Sequence, residues 1–154
     1  MTRTVILDSG VLGLITKPNK KTKEDRSITQ WTIDLLQSGN RLLVPAIADY
    51  EIRRELVRIG STRGISALDA WNAELPDRFL TLTNADLRLA CVLWAQARNA
   101  GTPTADPKAL DADVLIAAQA LDLRLRPLSY IVATTNVGHL SLFVPAELWE
   151  NIGA

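Results

Sequence analysis

The sequence predicts an α/β fold in which a mostly parallel central sheet is covered by helices. A chain of 154 residues suits one domain, and 47% hydrophobic residues are enough for one sizeable core. Short apolar runs alternate along the chain with longer segments of helical period, an order typical of crossover units between parallel strands. We therefore expect residues 1–154 to form a single domain.

Short runs of apolar and β-branched residues predict the strands. Three runs are clear and the last is weaker: Thr4–Leu7, Arg41–Val44, Tyr130–Thr134 and Phe79–Leu82. Asp8 follows the first run directly, and Asn136 lies just beyond Tyr130–Thr134. Because ligands bind beyond the carboxyl ends of parallel strands, both residues are candidates for the functional site.

Apolar residues at intervals of three and four predict the helices. A short helix follows Asp8, and four longer patterns cover Ile28–Leu36, Ile47–Ile59, Leu87–Ala97 and Leu110–Leu125. Glu51 falls in the first turns of one helix, and Asp113 falls near the start of another. The polar stretches Lys17–Arg26 and Gly101–Lys108 are predicted to be loops.

Charge and the scarcity of cysteine and histidine restrict the possible functions. Seventeen basic and seventeen acidic residues cancel, so a polyanion must be bound by a local patch. Cys91 and His139 are the single residues of their types, which excludes an intramolecular disulfide, a cysteine-cluster zinc site and a His-rich metal site. We expect Cys91 to be a small core residue.

The apolar runs are too short for targeting or membrane insertion. The N-terminal run is shorter than a signal peptide requires, and charges interrupt every stretch before the ~20 residues that span a membrane. We therefore expect a cytoplasmic protein with no membrane partner.

Acidic residues from distant parts of the chain predict a metal site. Asp8, Glu51 and Asp113, with the amide of Asn136, can converge on one edge of the sheet. Mg²⁺ and Mn²⁺ prefer such oxygen ligands, and in phosphodiester hydrolysis they remove the need for a histidine or cysteine. Each acid alone also fits an ordinary role as a helix cap, a solvated side chain or a first-turn charge, so the prediction depends on their joint placement.

Several segments together carry a family resemblance that spans nearly the whole chain. In order they are Val5–Leu12, Pro45–Leu56, Asp113–Ala120 and Ile131–Val137. These resemble the PIN-domain family, and within it the VapC-like toxins. The resemblance implies a three-layer α/β/α domain that cleaves RNA with Mg²⁺ or Mn²⁺, commonly as a homodimer, and that a cognate antitoxin holds inactive.

The resemblance also implies roles for individual residues. By match, Asp8, Glu51 and Asp113 become metal-binding catalytic carboxylates, and Asn136 completes the catalytic set where many members carry an Asp. An amide is a neutral ligand, so this site has one negative charge fewer. The segment Gly138-His139-Leu140 stands where many relatives have Arg-Asp-Phe, so no role is transferred to the histidine.

Neighbouring residues leave alternatives open. Asp111 competes with Asp113, because residues two apart on a helix point about 200° away from each other. We favour Asp113 as the ligand and Asp111 as a cap or supporting residue. Ser9 either supports a ligand or caps a helix, and Thr135 is a candidate hydrogen-bond donor to the site.

Basic residues supply candidate substrate contacts. The cluster of lysines contains Lys17, Lys20, Lys21 and Lys23, of which Lys20 and Lys21 are candidates to contact RNA rather than simply to face solvent. Arg53 is a candidate phosphate contact, and its alternative is an ion pair with neighbouring acids.

The leading hypothesis is a metal-dependent ribonuclease that acts as the toxin of a toxin–antitoxin pair. One alternative is a nuclease of the same fold that cleaves other RNA, or DNA, without an antitoxin. The other is a non-catalytic module that binds metal or RNA.

Overall fold

A parallel sheet forms the centre of the protein, whose computed structural model describes residues 2–101, 110–123 and 129–154. Within these ranges the strands are β1 Thr4–Leu7, β2 Arg41–Pro45, β3 Phe79–Leu80, β4 Tyr130–Thr134 and β5 Ala146–Leu148. Their order across the sheet is β3-β2-β1-β4-β5, and each neighbouring pair is parallel. From β1, the strands β2 and β3 therefore follow one another toward one edge of the sheet. The chain then crosses to the other side of β1, where β4 and β5 follow one another toward the opposite edge.

Helices cover both faces of this sheet. In the described ranges they are α1 Ser9–Thr16, α2 Lys23–Gln37, α3 Ala46–Arg58, α4 Thr62–Glu74, α5 Asn84–Asn99 and α6 Asp111–Leu123. Alternate residues of β1 point to opposite faces. Val5 and Leu7 pack in the cluster that holds α1, α2 and α4, whereas Ile6 packs against α6, which α5 covers in turn. The predicted three-layer α/β/α fold with a parallel sheet is confirmed.

The stretch predicted as a loop over Lys17–Arg26 is partly helical, because α2 already begins at Lys23. Thr22 and Asp25 form a capping box there. The Asp25 backbone N donates to Thr22 Oγ1 at 3.0 Å, and the Thr22 N donates to Asp25 Oδ2 at 2.9 Å. Two polar residues thus start a helix inside a segment whose charge suggested a loop.

The Asp25 carboxylate also closes the connection between α1 and α2. Its residue is only 1% exposed. Besides the Thr22 bond, Oδ2 accepts from the backbone N of Lys21 at 2.8 Å and lies 3.1 Å from the ammonium of Lys17. Hydrogen bonds from backbone N–H groups, of which the one from Thr22 has the largest effect, hold the pKa of Asp25 well below its usual range.

Other predictions also need correction. The strand predicted over Phe79–Leu82 is only two residues long, and α4 and β5 were not predicted. Cys91 is exposed and is not a core residue. Gly101 lies in a turn, while the rest of the predicted loop to Lys108 and the last residue of the pattern ending at Leu125 lie outside the described residues. None of the helices in the described ranges is long and apolar enough to cross a membrane.

Candidate active site

Asp8 lies at the carboxyl end of β1, the central strand, which has β2 on one side and β4 on the other. Its backbone N donates to the carbonyl of Ala133 on β4 at 3.0 Å, so it extends the parallel ladder by one residue. Its carbonyl accepts from Leu12 N, and its Oδ1 accepts from Ser9 N at 2.7 Å. Asp8 is therefore the N-cap of α1, with its second carboxylate oxygen turned toward β4.

Thr134 fixes that second oxygen. This residue is fully buried, and its Oγ1 donates to Asp8 Oδ2 at 2.7 Å. The same hydroxyl oxygen accepts from Asn136 N at 3.1 Å and lies 2.9 Å from Asn136 O. Since the hydroxyl has one proton, the charged Asp8 oxygen is the stronger acceptor. Thr134 thus ties together the ends of the two central strands.

Thr135, the predicted donor, does not make this contact. Its side chain is exposed and lies against Gly10 in α1. A Cβ atom on Gly10 would come within 2.5 Å of Thr135 Oγ1, so the small residue permits close approach of the two segments. The donor to Asp8 is the neighbouring Thr134.

We expect Thr134→Val to weaken the site while Thr134→Ser preserves it. Valine keeps the volume of threonine but leaves Asp8 Oδ2 and the Asn136 N–H without their partner, which costs about 1–3 kcal/mol. Urea unfolding measures the loss, and equal stability of the valine, serine and wild-type proteins would contradict this account of the hydroxyl.

Glu51 lies half-buried in the second turn of α3. Burial and the nearby Asp8 carboxylate raise its pKa, while the charge of Arg54 and a hydrogen bond from the Ser9 side chain oppose the rise. Arg54 Nη2 is 3.9 Å from Glu51 Oε2. Ser9 therefore contacts both acids, through its backbone and through its side chain.

Asp113 lies in the first turn of α6. Burial and the charges of Asp8 and Glu51 raise its pKa to about 6, and His139 partly opposes this rise. Asp111, two residues earlier, is exposed, so Asp113 is the acid of this helix that faces the other two. Sequence reasoning gave His139 no role, yet its position beside Asp113 makes it part of the surroundings of the site.

The three carboxylates are close enough to influence one another electrostatically, but they are too far apart to bind one metal ion together. In the parts of the chain that the structure describes, no three His, Cys, Asp or Glu side chains stand close enough to hold a metal ion. Burial and the neighbouring carboxylate charges nevertheless raise the pKa of Glu51 and Asp113. Asn136 is exposed, and its backbone N donates to the same Thr134 hydroxyl that contacts Asp8. This all-oxygen donor set suits a hard divalent cation, which would offset the repulsion and draw the acids together.

Comparison with known proteins reveals similarity of fold. No protein-family model and no curated protein matches the chain. The solved structure of VapBC2 from Rickettsia felis bound to a DNA fragment from their promoter matches with a TM-score of 0.70 and 15% identity, over 95% of this chain and 98% of that one. FitAcB from Neisseria gonorrhoeae matches with 0.66, and VapBC-1 from nontypeable Haemophilus influenzae with 0.64, each at 18% identity over 96% of this chain and 99% of the other.

These findings correct the family assignment made from the four sequence segments. The chain was assigned to the PIN-domain family as a VapC-like toxin, and that assignment is wrong as it stands. No family model supports it, and the similar structures are VapBC and FitAcB complexes whose low identity establishes a common fold alone. The α/β fold class remains confirmed, and the chemistry of the site must be argued from its own residues.

Arg53, a candidate phosphate contact, is held by acidic partners instead. Its Nε lies 2.9 Å from Asp49 Oδ1, and its Nη2 lies 2.7 Å from Asp69 Oδ1. Asn72 donates to the other oxygen of Asp49 at 2.8 Å. The ion-pair alternative thus describes Arg53 in this structure, where the network joins α3 to α4.

Lys20 and Lys21 follow α1 in the chain, and Lys20 contacts the end of that helix that lies opposite Asp8. Lys20 Nζ donates to the carbonyl oxygens of Leu14 and Ile15 at the C-terminal end of that helix. A helix of eight residues is about 12 Å long, and Asp8 caps its opposite end. Contact of these lysines with RNA stays a prediction, and it would require a substrate that extends along α1.

Proposed function

We propose that this chain is a divalent-metal-dependent endoribonuclease that acts as the toxin of a toxin–antitoxin pair. The observation that carries the proposal is the proximity of Asp8, at the carboxyl end of β1, to the partly buried Glu51 and Asp113: Asp8 is close enough for its charge to affect the pKa of both. Burial, and after it the charges of the neighbouring carboxylates, raise the pKa of Glu51 and Asp113, an arrangement that costs stability unless a cation is bound. Carboxylates maintained at such cost are typical of functional sites.

Each residue has a distinct task in this proposal. Asp8, Glu51 and Asp113 hold Mg²⁺ or Mn²⁺, and Asn136 offers a neutral oxygen to the metal or to the substrate. The bound ion supplies an activated water and neutralises charge on the phosphate. Thr134 and the Ser9 backbone keep the Asp8 carboxylate in one orientation. Substrate affinity then comes from the ion and from local bases, because the chain has no net charge.

The similar structures support the biological setting of the proposal. They are VapBC and FitAcB complexes, so we infer that this chain also has a partner protein, a cognate antitoxin that blocks the site. We further propose RNA as the substrate, a homodimer as the active form and the cytoplasm as the compartment.

Cleavage should depend on pH through the metal-binding acids. The ionised carboxylate binds the cation, and the pKa of Asp113 is about 6, so protons compete with the metal below that value. At a low, fixed Mn²⁺ concentration we expect the initial rate to fall about ten-fold per pH unit below 6 and to level off above about 7. Saturating Mn²⁺ should move the midpoint to lower pH. A rate that is independent of pH between 5 and 8 would contradict the prediction.

The proposal is tested by incubating the purified protein with mixed single-stranded RNA in Mg²⁺, in Mn²⁺ and in excess chelator, with DNA of the same sequence in parallel. We expect internal cuts in RNA that require metal. Binding of RNA without cleavage in either metal would favour the non-catalytic module. Equal cleavage of DNA would favour the alternative nuclease, as would the lack of a neighbouring gene for an inhibitory partner.

A further inference from the structure

An exposed aromatic side chain stands beside the carboxylate centre. Tyr50 directly precedes Glu51 in α3 and is 56% exposed. Arg54 follows one turn later, with its guanidinium carbon 5.3 Å from the centroid of the Tyr50 ring. The same guanidinium lies 3.9 Å from the Glu51 carboxylate. Arg54 therefore links the tyrosine ring to a candidate metal ligand.

The fold does not require an aromatic residue at this position. Neither hydrophobic cluster on the two faces of the sheet includes Tyr50, and more than half of its surface meets solvent. Arg54 is also largely exposed, with its side chain 58% accessible. The pair thus offers an exposed aromatic ring and a planar cation close to Glu51, a candidate metal-binding residue. A phosphate would bind at this edge of the sheet.

Unpaired nucleotides suit this combination. Every base has a flat π surface that stacks on an exposed aromatic ring, and a guanidinium contacts phosphates or stacks in its own right. In a duplex the bases are already stacked on one another, so a side chain at the rim cannot reach their faces. The pair therefore favours a substrate whose bases are free.

We propose that Tyr50 and Arg54 form a stacking platform for an unpaired base next to the scissile phosphate, which makes single-stranded RNA the preferred substrate. This inference rests on the proposed nuclease function, because it places the base beside the carboxylates. A protein-docking role for the same exposed ring is the competing explanation, and it is less favoured because the shared guanidinium ties the ring to Glu51.

The test is equilibrium binding of a fluorescent single-stranded 12-nucleotide RNA in chelator, where metal-dependent cleavage cannot interfere. We expect Tyr50→Ala to weaken binding about ten-fold, and Tyr50→Phe to bind like the wild type, because stacking needs the ring and not the hydroxyl. Val57→Ala is the matched control: Val57 lies two turns further along α3 and is 62% exposed, and its loss should leave binding unchanged. On an RNA whose bases are replaced by abasic sites, the difference between Tyr50→Ala and the wild type should disappear.

Each outcome bears on the platform separately from catalysis. Equal binding by Tyr50→Ala and the wild type, a loss that persists on abasic RNA, or no measurable RNA binding by the wild type would overturn it. A changed oligomeric state of Tyr50→Ala with unchanged RNA affinity would do the same and would indicate a protein-docking surface. Ring-dependent binding combined with no cleavage in Mg²⁺ or Mn²⁺ would support the platform while refuting the nuclease.

Discussion

Asp8→Asn and Asp113→Asn should each lower metal-dependent RNA cleavage by at least about 10³-fold. Each change keeps the size of the side chain but removes a negative charge that the cation needs. Asp8 is oriented by hydrogen bonds from Thr134 and Ser9, and Asp113 lies near the charges of both other acids. We therefore expect each of these carboxylates to be needed for binding of the cation. Initial rates on labelled RNA at saturating Mn²⁺ measure the effect.

Stability measurements separate lost chemistry from lost folding. Without metal, Asp113→Asn should unfold at the wild-type temperature or above it, because it removes a charge that burial disfavours and that Asp8 and Glu51 repel. Asp111→Asn is the matched control on the same helix: its residue is exposed, and we expect activity within about two-fold of the wild type. Near-normal cleavage by Asp113→Asn together with a large loss in Asp111→Asn would refute the assignment of the ligand.

Asp25→Ala should destabilise the protein more than any other single change to a polar residue discussed above, lowering Tm by roughly 6–10 °C. The substitution leaves the backbone N–H groups of Lys21 and Thr22 without their acceptor and removes the partner of the Lys17 ammonium. Because α1 carries the Asp8 cap and α2 covers the same face, we expect loosening of the α1–α2 connection. Differential scanning calorimetry measures the change.

The pH dependence of this effect follows from the depressed pKa of Asp25. A carboxyl group whose pKa is lower in the folded state stabilises the protein fully above its unfolded value, about 4, and loses that contribution as pH falls toward the folded pKa. The difference in Tm between the wild type and Asp25→Ala should therefore be complete at pH 7 and narrow at pH 3. Glu24→Ala changes an exposed neighbour and should have little effect, and equal losses at Glu24 and Asp25 would contradict the proposed role of the buried carboxylate.

Much of the architecture was predictable because its elements have strong local patterns. Thr4–Leu7 is an unbroken apolar run, and the structure buries all four residues at the centre of the sheet. Helix α4 was not predicted, although Ile65, Leu68 and Trp71 recur in it at intervals of three. Strand β5 is three residues long with Glu147 at its middle. The short β5 gives no periodic signal of its own, so its pairing with β4 decides its conformation.

The candidate site was predictable in its acids but not in their support. Asp8, Glu51 and Asp113 were identified from strand ends and helix starts, and the structure makes them electrostatic neighbours. The contact of Thr134 with Asp8 depends on the register of two strands 126 residues apart, which no local pattern specifies. The sequence likewise does not indicate that Arg54 links the Tyr50 ring to Glu51, which only the structure shows.

The most direct test of the proposed metal centre is a crystal structure of the protein soaked in Mn²⁺, read by anomalous scattering. We predict a peak between the carboxylates of Asp8, Glu51 and Asp113, with at least two of their oxygens at about 2.1 Å. No peak at that edge of the sheet in millimolar Mn²⁺, in crystals whose site is open to solvent, would contradict the account.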